Sequence, residues 1–279
     1  MTLSTIRNNP AKQKKVKTKK QKAIAATCAV AFWLLVWHVV SLCVGSELVL
    51  VSPVKVVQTL FTVIFDPDFL KTVWYSAARI LGGFFTALTL GTVLGWVASR
   101  FWVVETLLRP ITAVIKATPV ASFIILVLLW FSGKNLSVII SMLMVFPVIY
   151  MNVLEGIRSA DEKLLEMAQV FRLSVGKKLL YIYLPAVAPF FVSACSVSLG
   201  LCWKSGIAAE VIGTPDGSIG AVFYQAKIFL QTSELLAWTV VVVAVSVAFE
   251  KLFMFLLRLV LKKLKMEDVL NGKLSLIHI

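Results

Sequence analysis

Residues 166–185 read EMAQVFRLSVGKKLLYIYLP, a charged and amphipathic stretch held between two long apolar runs. The interruption is out of keeping with the rest of the chain, which is 59% hydrophobic and 15% charged, with a mean hydropathy of +0.90. Outward from it, apolar runs lie near residues 23–44, 73–99, 110–131, 137–157, 187–209 and 236–258. About 20 helical residues cross the hydrocarbon core of a bilayer, so these six runs predict membrane spans. In lipid every backbone amide must be bonded within its own segment, which for spans of this length selects helices. The expected fold class is an all-α polytopic membrane protein with six transmembrane helices. The third run is the least regular, because Lys116 and Thr118-Pro119 fall inside it.

The net charge of +14 in a soluble protein would suggest nucleic acid. Its placement argues otherwise. Eight of the 28 Lys and Arg residues lie in the first 22 positions, Arg7 and the seven lysines of the run KQKKVKTKKQK. With six spans and the N-terminus inside, the expected cytoplasmic segments carry roughly 21 basic residues and the outer loops about five, counting Lys204 and Lys227. That asymmetry places both termini in the cytoplasm of a cell-membrane protein, and the basic run beside anionic lipid. No nucleic-acid partner is expected. The expected division is a basic tail at 1–22, a first helix and outer loop at 23–69, a core at 70–262, and a second cytoplasmic tail at 263–279.

The first run, AIAATCAVAFWLLVWHVVSLCVG, exceeds a typical ~7–15-residue signal core and is not followed by a small-x-small cleavage site, so it reads as an uncleaved helix. Cys28, Cys43, Cys195 and Cys202 all fall in expected spans without a CxxC pair, and read as small buried apolar residues rather than metal ligands or disulfides. Two spans carry small residues at every fourth position: Gly83, Ala87, Gly91 and Gly95, then Ala194, Ser198, Cys202 and Gly206. Each set lies on one helix face, where another backbone can approach closely. The partner is either a helix of the same bundle or one of a second subunit. Pro119 and Pro147 should kink the third and fourth spans.

In the charged stretch, Leu164, Met167, Ala168, Phe171 and Val175 fall on one helical arc, with Glu162, Glu166 and Gln169 opposite. Its apolar arc fits either the lipid interface or a groove on a partner protein. Interfacial helices usually carry Lys and Arg on the polar side; here anionic lipid would meet glutamates, which favours the protein groove.

These residues resemble the EAA loop of the permease subunits of binding-protein-dependent ABC importers. Glu166 and Ala168 match its start, Met167 replaces the central alanine, and Leu184-Pro185 closes the motif. Arg172 stands where that family usually has glycine, so the helix is expected to run straighter, with Gly176 as the break. The resemblance extends over roughly residues 70–262. KATPVASFIILVLLWFSG is similar to the third helix of the branch importing sulfonates, taurine and nitrate. GLCWKSGIAAEVIGTPDGSIG and FLQTSELLAW are similar to its fifth helix and the following outer loop.

The resemblance implies a type I importer permease fold, with the coupling loop near 160–185 docked on a separate cytoplasmic ABC ATPase through Leu164, Glu166, Met167, Ala168, Phe171, Arg172 and Gly176. It implies an extracytoplasmic solute-binding protein and a second permease copy as further partners. The sequence agrees with a divided machine: no GxxxxGK[ST] phosphate loop occurs, so ATP is expected on the partner and no cofactor on this chain. With His38 and His278 as its sole histidines and no H-E-x-x-H or G-x-S-x-G pattern, the chain offers no hydrolytic site.

Ionisable residues inside spans cost at least ~2.5 kcal/mol near the membrane centre and usually face a cavity or a partner. Arg79 and Lys116 can snorkel. For Lys204 two readings stand open: it faces the substrate path and attracts an anion, with Trp203 touching an apolar substituent, or it pairs with a carboxylate or reaches the outer surface. Glu210 either contacts the binding protein or neutralises Lys204, and Thr118-Pro119 marks the path by its kink. The cargo expected is a small anion, aliphatic sulfonate before taurine or nitrate. Its rivals are a different cargo such as a vitamin precursor, and a gradient-driven secondary carrier, which would show repeated halves.

Overall fold

The computed structural model describes residues 19–263 and is helical throughout that range, apart from short connections. The basic run before residue 19 and the C-terminal stretch ending NGKLSLIHI lie outside the described residues. In chain order the helices are α1 (Lys19–Val44), α2 (Pro53–Ile64), α3 (Phe69–Arg100), α4 (Trp102–Ala117), α5 (Val120–Leu128), α6 (Gly133–Arg158), α7 (Glu162–Val170), α8 (Val175–Lys178), α9 (Leu184–Gly213), α10 (Ile219–Ile228) and α11 (Thr232–Lys263). A wider, π-type turn at Leu179–Tyr183 joins α8 to α9. Contacts divide the chain into Met1–Lys55 and Val56–Ile279. In the first unit, the Trp37 indole N–H donates to the Val51 carbonyl at 3.1 Å and fixes the turn after α1.

Within the described residues five helices are long and apolar enough to cross a membrane, and a sixth crossing results if α4 and α5 count as one span. The expected third span, 110–131, is therefore corrected: the helix begins at Trp102, and its axis turns by 106° between α4 and α5. The cause is Pro119. It lacks an N–H and pushes the preceding residue out of helical space, and Thr118 accordingly sits at φ −82°, ψ 133°. The Thr118 hydroxyl turns back to the Val114 carbonyl at 2.8 Å and helps close α4. At Pro147 the helix is not broken, and α6 continues through it from Gly133 to Arg158.

In the second unit α6 is the central helix, with buried residues along its whole length, and α3 and α9 pack against it. Both small-residue stripes are spent inside the chain. A Cβ on Gly83 would run into the Val138 carbonyl, and one on Gly91 or Gly95 would lie 3.0 Å from Ile149 or from the Tyr150 carbonyl. One on Gly206 would press on Ile80 and Ser141. Helix–helix contact in lipid lacks a hydrophobic driving force, so close backbone approach and dispersion hold this trio together. Around the resulting contacts Ile80, Phe84, Val145, Ile149, Leu199 and Trp203 form the main core. Cys195 and Cys202 are buried in it; Cys28 and Cys43, expected to be buried, are exposed on α1.

Candidate functional site

At one end of α6 the chain builds a small platform. Asp161 takes an extended conformation, and its carboxylate accepts from the Lys163 N–H at 2.9 Å, capping α7. After nine helical residues α7 is closed by two reversed bonds, from the Arg172 N–H to the Gln169 carbonyl (3.0 Å) and from the Leu173 N–H to the Ala168 carbonyl (2.9 Å). That pairing requires a left-handed residue at the turn, and Arg172 supplies it at φ 48°. The straighter helix expected here, with its break at Gly176, is thus corrected. Arg172 performs the turn usually left to glycine, while Gly176 lies inside α8 with no atom within 4 Å of a Cβ placed on it.

α7 consequently has two apolar sides. Leu165 and Ala168 face inward, packing with Ala160, Leu173, Ile182 and Tyr183; Ala168 is 0% exposed, so it seats the helix rather than standing on the outward arc. Leu164, Met167, Val170 and the following Phe171 face outward, as does Val175 at the start of α8, with Phe171 71% and Val175 79% exposed. Glu162, Glu166 and Gln169 are exposed beside them. An exposed apolar patch rimmed by polar residues marks a contact surface.

The other end of α6 carries a buried polar knot. Glu210 is not the first residue of a loop; it sits in the last turn of α9 and is 0% exposed. Its Oε2 accepts from the Ser76 hydroxyl of α3 at 2.6 Å and from the Gly220 N–H of α10 at 3.4 Å. The Ser76 oxygen in turn accepts from the Ile219 N–H at 2.9 Å. The carboxylate and the serine together satisfy the first amides of α10, which a helix cannot bond by itself. Ser218 caps a third amide, that of Ala221, at 3.0 Å. Gly220 is required here, because a Cβ would strike the Glu210 backbone.

Glu210 therefore neither contacts an outside partner in this conformation nor neutralises Lys204. Lys204 is exposed, and no ion pair reaches it among the described residues. Trp203 is 2% exposed and belongs to the main core, so its indole does not accompany Lys204 onto an open surface. At the α4–α5 break Pro119 is exposed and Thr118 half-buried, and Lys116 Nζ reaches the Met151 sulfur at 3.5 Å.

Sequence reasoning missed Ser76, whose surroundings FLKTVWYSAARIL give a serine no mark. It also passed over Glu250 and Lys251 inside the sixth run, although charges there were a readable signal. Glu250 accepts from the Ser196 hydroxyl at 3.0 Å, bridging α9 and α11.

Residues 87–266 match the model of the family described as binding-protein-dependent transport system inner membrane component. The chain is 29% identical over 216 residues to a protein named as an aliphatic sulfonates transport permease in Bacillus subtilis, covering 76% of this chain and 78% of that one. It is 27% identical to the taurine transport system permease protein of Escherichia coli, covering 77% and 80%. It is 25% identical to a nitrate import permease protein of Synechocystis, covering 73% and 76%. A crystal structure described as an amino acid ABC transporter with histidines shares the fold, with a TM-score of 0.50, 16% identity, and coverage of 70% of this chain and 96% of that one.

Proposed function

The chain belongs to the binding-protein-dependent transport system inner membrane components, and from that premise we propose that it is the permease subunit of an ABC importer for a small anion. The cargo is an aliphatic sulfonate first, with taurine or nitrate next. The observation that carries the reading is the outward surface of α7 and the start of α8, where Leu164, Met167, Phe171 and Val175 lie exposed next to Glu162 and Glu166. A groove on a cytoplasmic ABC ATPase fits that surface, with Glu166 at its edge, while Ala168 and Arg172 hold the helix in shape. ATP is bound and hydrolysed there, and this chain carries no cofactor.

The end of α6 bearing α7 is then cytoplasmic, as are both termini. The opposite end, with residues 214–231, receives an extracytoplasmic binding protein. A second copy of the permease completes the path, on which Lys204 offers a cation without an ion pair among the described residues and Thr118-Pro119 a soft joint. ATP-driven closure of the ATPases would move α7 and rock the bundle between inward- and outward-open states. A gradient-driven carrier has less in its favour, since the single bent pair among the described residues has no counterpart in a second half.

The test is copurification of the ATPase from native membranes with wild type, Glu166→Ala and Phe171→Asp. Loss of the ATPase from the Phe171 variant, with the permease still folded, is the expected result. An ATPase absent even from wild type, together with uptake that follows a proton or sodium gradient, would overturn the reading.

A further inference from the structure

Arg158, the last residue of α6, forms an ion pair with Glu105 in the first turn of α4. Both charges suit their helix ends, an acid near an N-terminus and a base near a C-terminus, yet the pair joins different helices, 53 residues apart in sequence.

Its surroundings give it leverage. Between Arg158 and the cap of α7 stand Ser159 and Ala160 alone, and this link is wound tightly onto α6. The Ser159 N–H bonds the Glu155 carbonyl at 2.9 Å, its hydroxyl bonds the Gly156 carbonyl at 2.8 Å, and the Ala160 N–H bonds the Ile157 carbonyl at 3.3 Å. Ala160 itself packs in the small core beneath α7. A displacement of α7 therefore reaches Arg158 without slack.

On the other side, Glu105 opens a helix that runs unbroken to Ala117 and ends at the 106° bend. Near this end α4 otherwise touches α6 through apolar contacts, Val104 and Leu108 against Tyr150 and Leu154, which resist separation but are non-directional and do not fix sliding. The charged fork of Arg158 supplies the directional tie that these lack.

We propose that the Glu105–Arg158 pair is the positioning link that carries movement of the docking helix α7 into the broken span α4–α5. The inference rests on the reading of α7 as the ATPase contact. Neither residue touches cargo or nucleotide; they act by setting where α4 begins relative to the loop.

The test uses the whole importer in liposomes, with permease, ATPase and binding protein, and reads cargo moved per ATP hydrolysed. Thermal unfolding and ATPase copurification are measured alongside. Glu105→Gln and Arg158→Gln should keep the ATPase bound and the fold intact while cargo per ATP falls about fivefold, the bias one surface ion pair can supply. The exchange Glu105→Arg with Arg158→Glu should restore part of the loss, held back by charges that now oppose their helix ends, while thermal unfolding and ATPase binding, which a merely structural defect would move, stay as in wild type. An unchanged ratio in both single variants, or an exchange no better than the singles, would overturn the link. Absence of the ATPase from wild type would instead remove the docking reading, and the link with it.

Discussion

Ser76→Ala removes one oxygen from the knot between α3, α9 and α10, and its cost follows from the contacts. The Ile219 N–H, 2.9 Å from that oxygen, loses its acceptor in a site where Ile219 and Ser76 are both 0% exposed. An orphaned buried donor costs about 1–3 kcal/mol. Glu210 Oε2 also loses its 2.6 Å bond and keeps the weaker one from Gly220 at 3.4 Å. A hydrogen bond to a carboxyl oxygen contributes about 0.5–3 kcal/mol across its neutral and charged forms. The two losses share one site and overlap, so the expected destabilisation is about 3 kcal/mol. Glu210→Gln keeps an acceptor in place and should cost about 1 kcal/mol, while Glu210→Ala should match or exceed Ser76→Ala. The double variant Ser76→Ala/Glu210→Ala should fall short of the sum by about 1–3 kcal/mol, since each single change already breaks the shared bond. Unfolding by SDS titration in mixed micelles measures the cycle, and hydrogen exchange at Ile219 and Gly220 localises it. Additive losses, or Ser76→Ala within ~0.5 kcal/mol of wild type, would refute the view that the pair fastens α10.

Arg172→Gly should stabilise the loop by about 1 kcal/mol, because glycine holds φ 48° without the steric cost that arginine bears; slower proteolysis between residues 170 and 176 is the readout, and faster cutting would contradict the assigned turn. Spin labels at the exposed positions Trp102 and Leu128 should lie ~24 Å apart if the axis turns by 106° at Thr118-Pro119, against ~39 Å for one straight helix; a distance near the longer value would contradict the broken span.

The spans were legible because an apolar run of about 20 residues has few other uses. The third was misplaced at its start because Glu105 and Arg109 dilute the apolarity of Trp102–Ala117, while its real mark, Pro119, was read for the kink and not for a break. The helical nature of α7 followed from periodicity, but its end did not. Residue preferences favour Gly176 for the turn; the packing of Leu173 against Ala168 and Ile182 pulls it four residues earlier, onto Arg172. The pairing imagined for Lys204 and Glu210 failed on simple geometry. Six residues at about 100° each put the two side chains on different sides of α9, and the same reasoning separates Lys204 from its neighbour Trp203. The true partner of Glu210 is 134 residues away, a serine that no local pattern distinguishes.

The two ends of α6 differ in kind, and the difference bears on how force would pass through the molecule. Along its length α6 meets α3 at glycines whose replacement would drive side chains into backbone, so relative sliding of α3, α6 and α9 would break contacts along whole helices at once. At the α10 end the helices are further tied by buried bonds to one carboxylate and one serine. A packed interface of this sort moves as a block, because cores are bistable rather than continuously deformable. At the α7 end the ties are an exposed ion pair and a short wound link, and α4 leads from there to a joint of two residues in extended conformation. Thr118 and Pro119 can change their ψ angles without breaking any helix bond beyond the cap of α4. Under the coupling proposed above, a push on α7 would be taken up at that joint, with the packing of Ile124 and Val127 against Leu136, Ile140 and Ala209 as the resistance to be overcome.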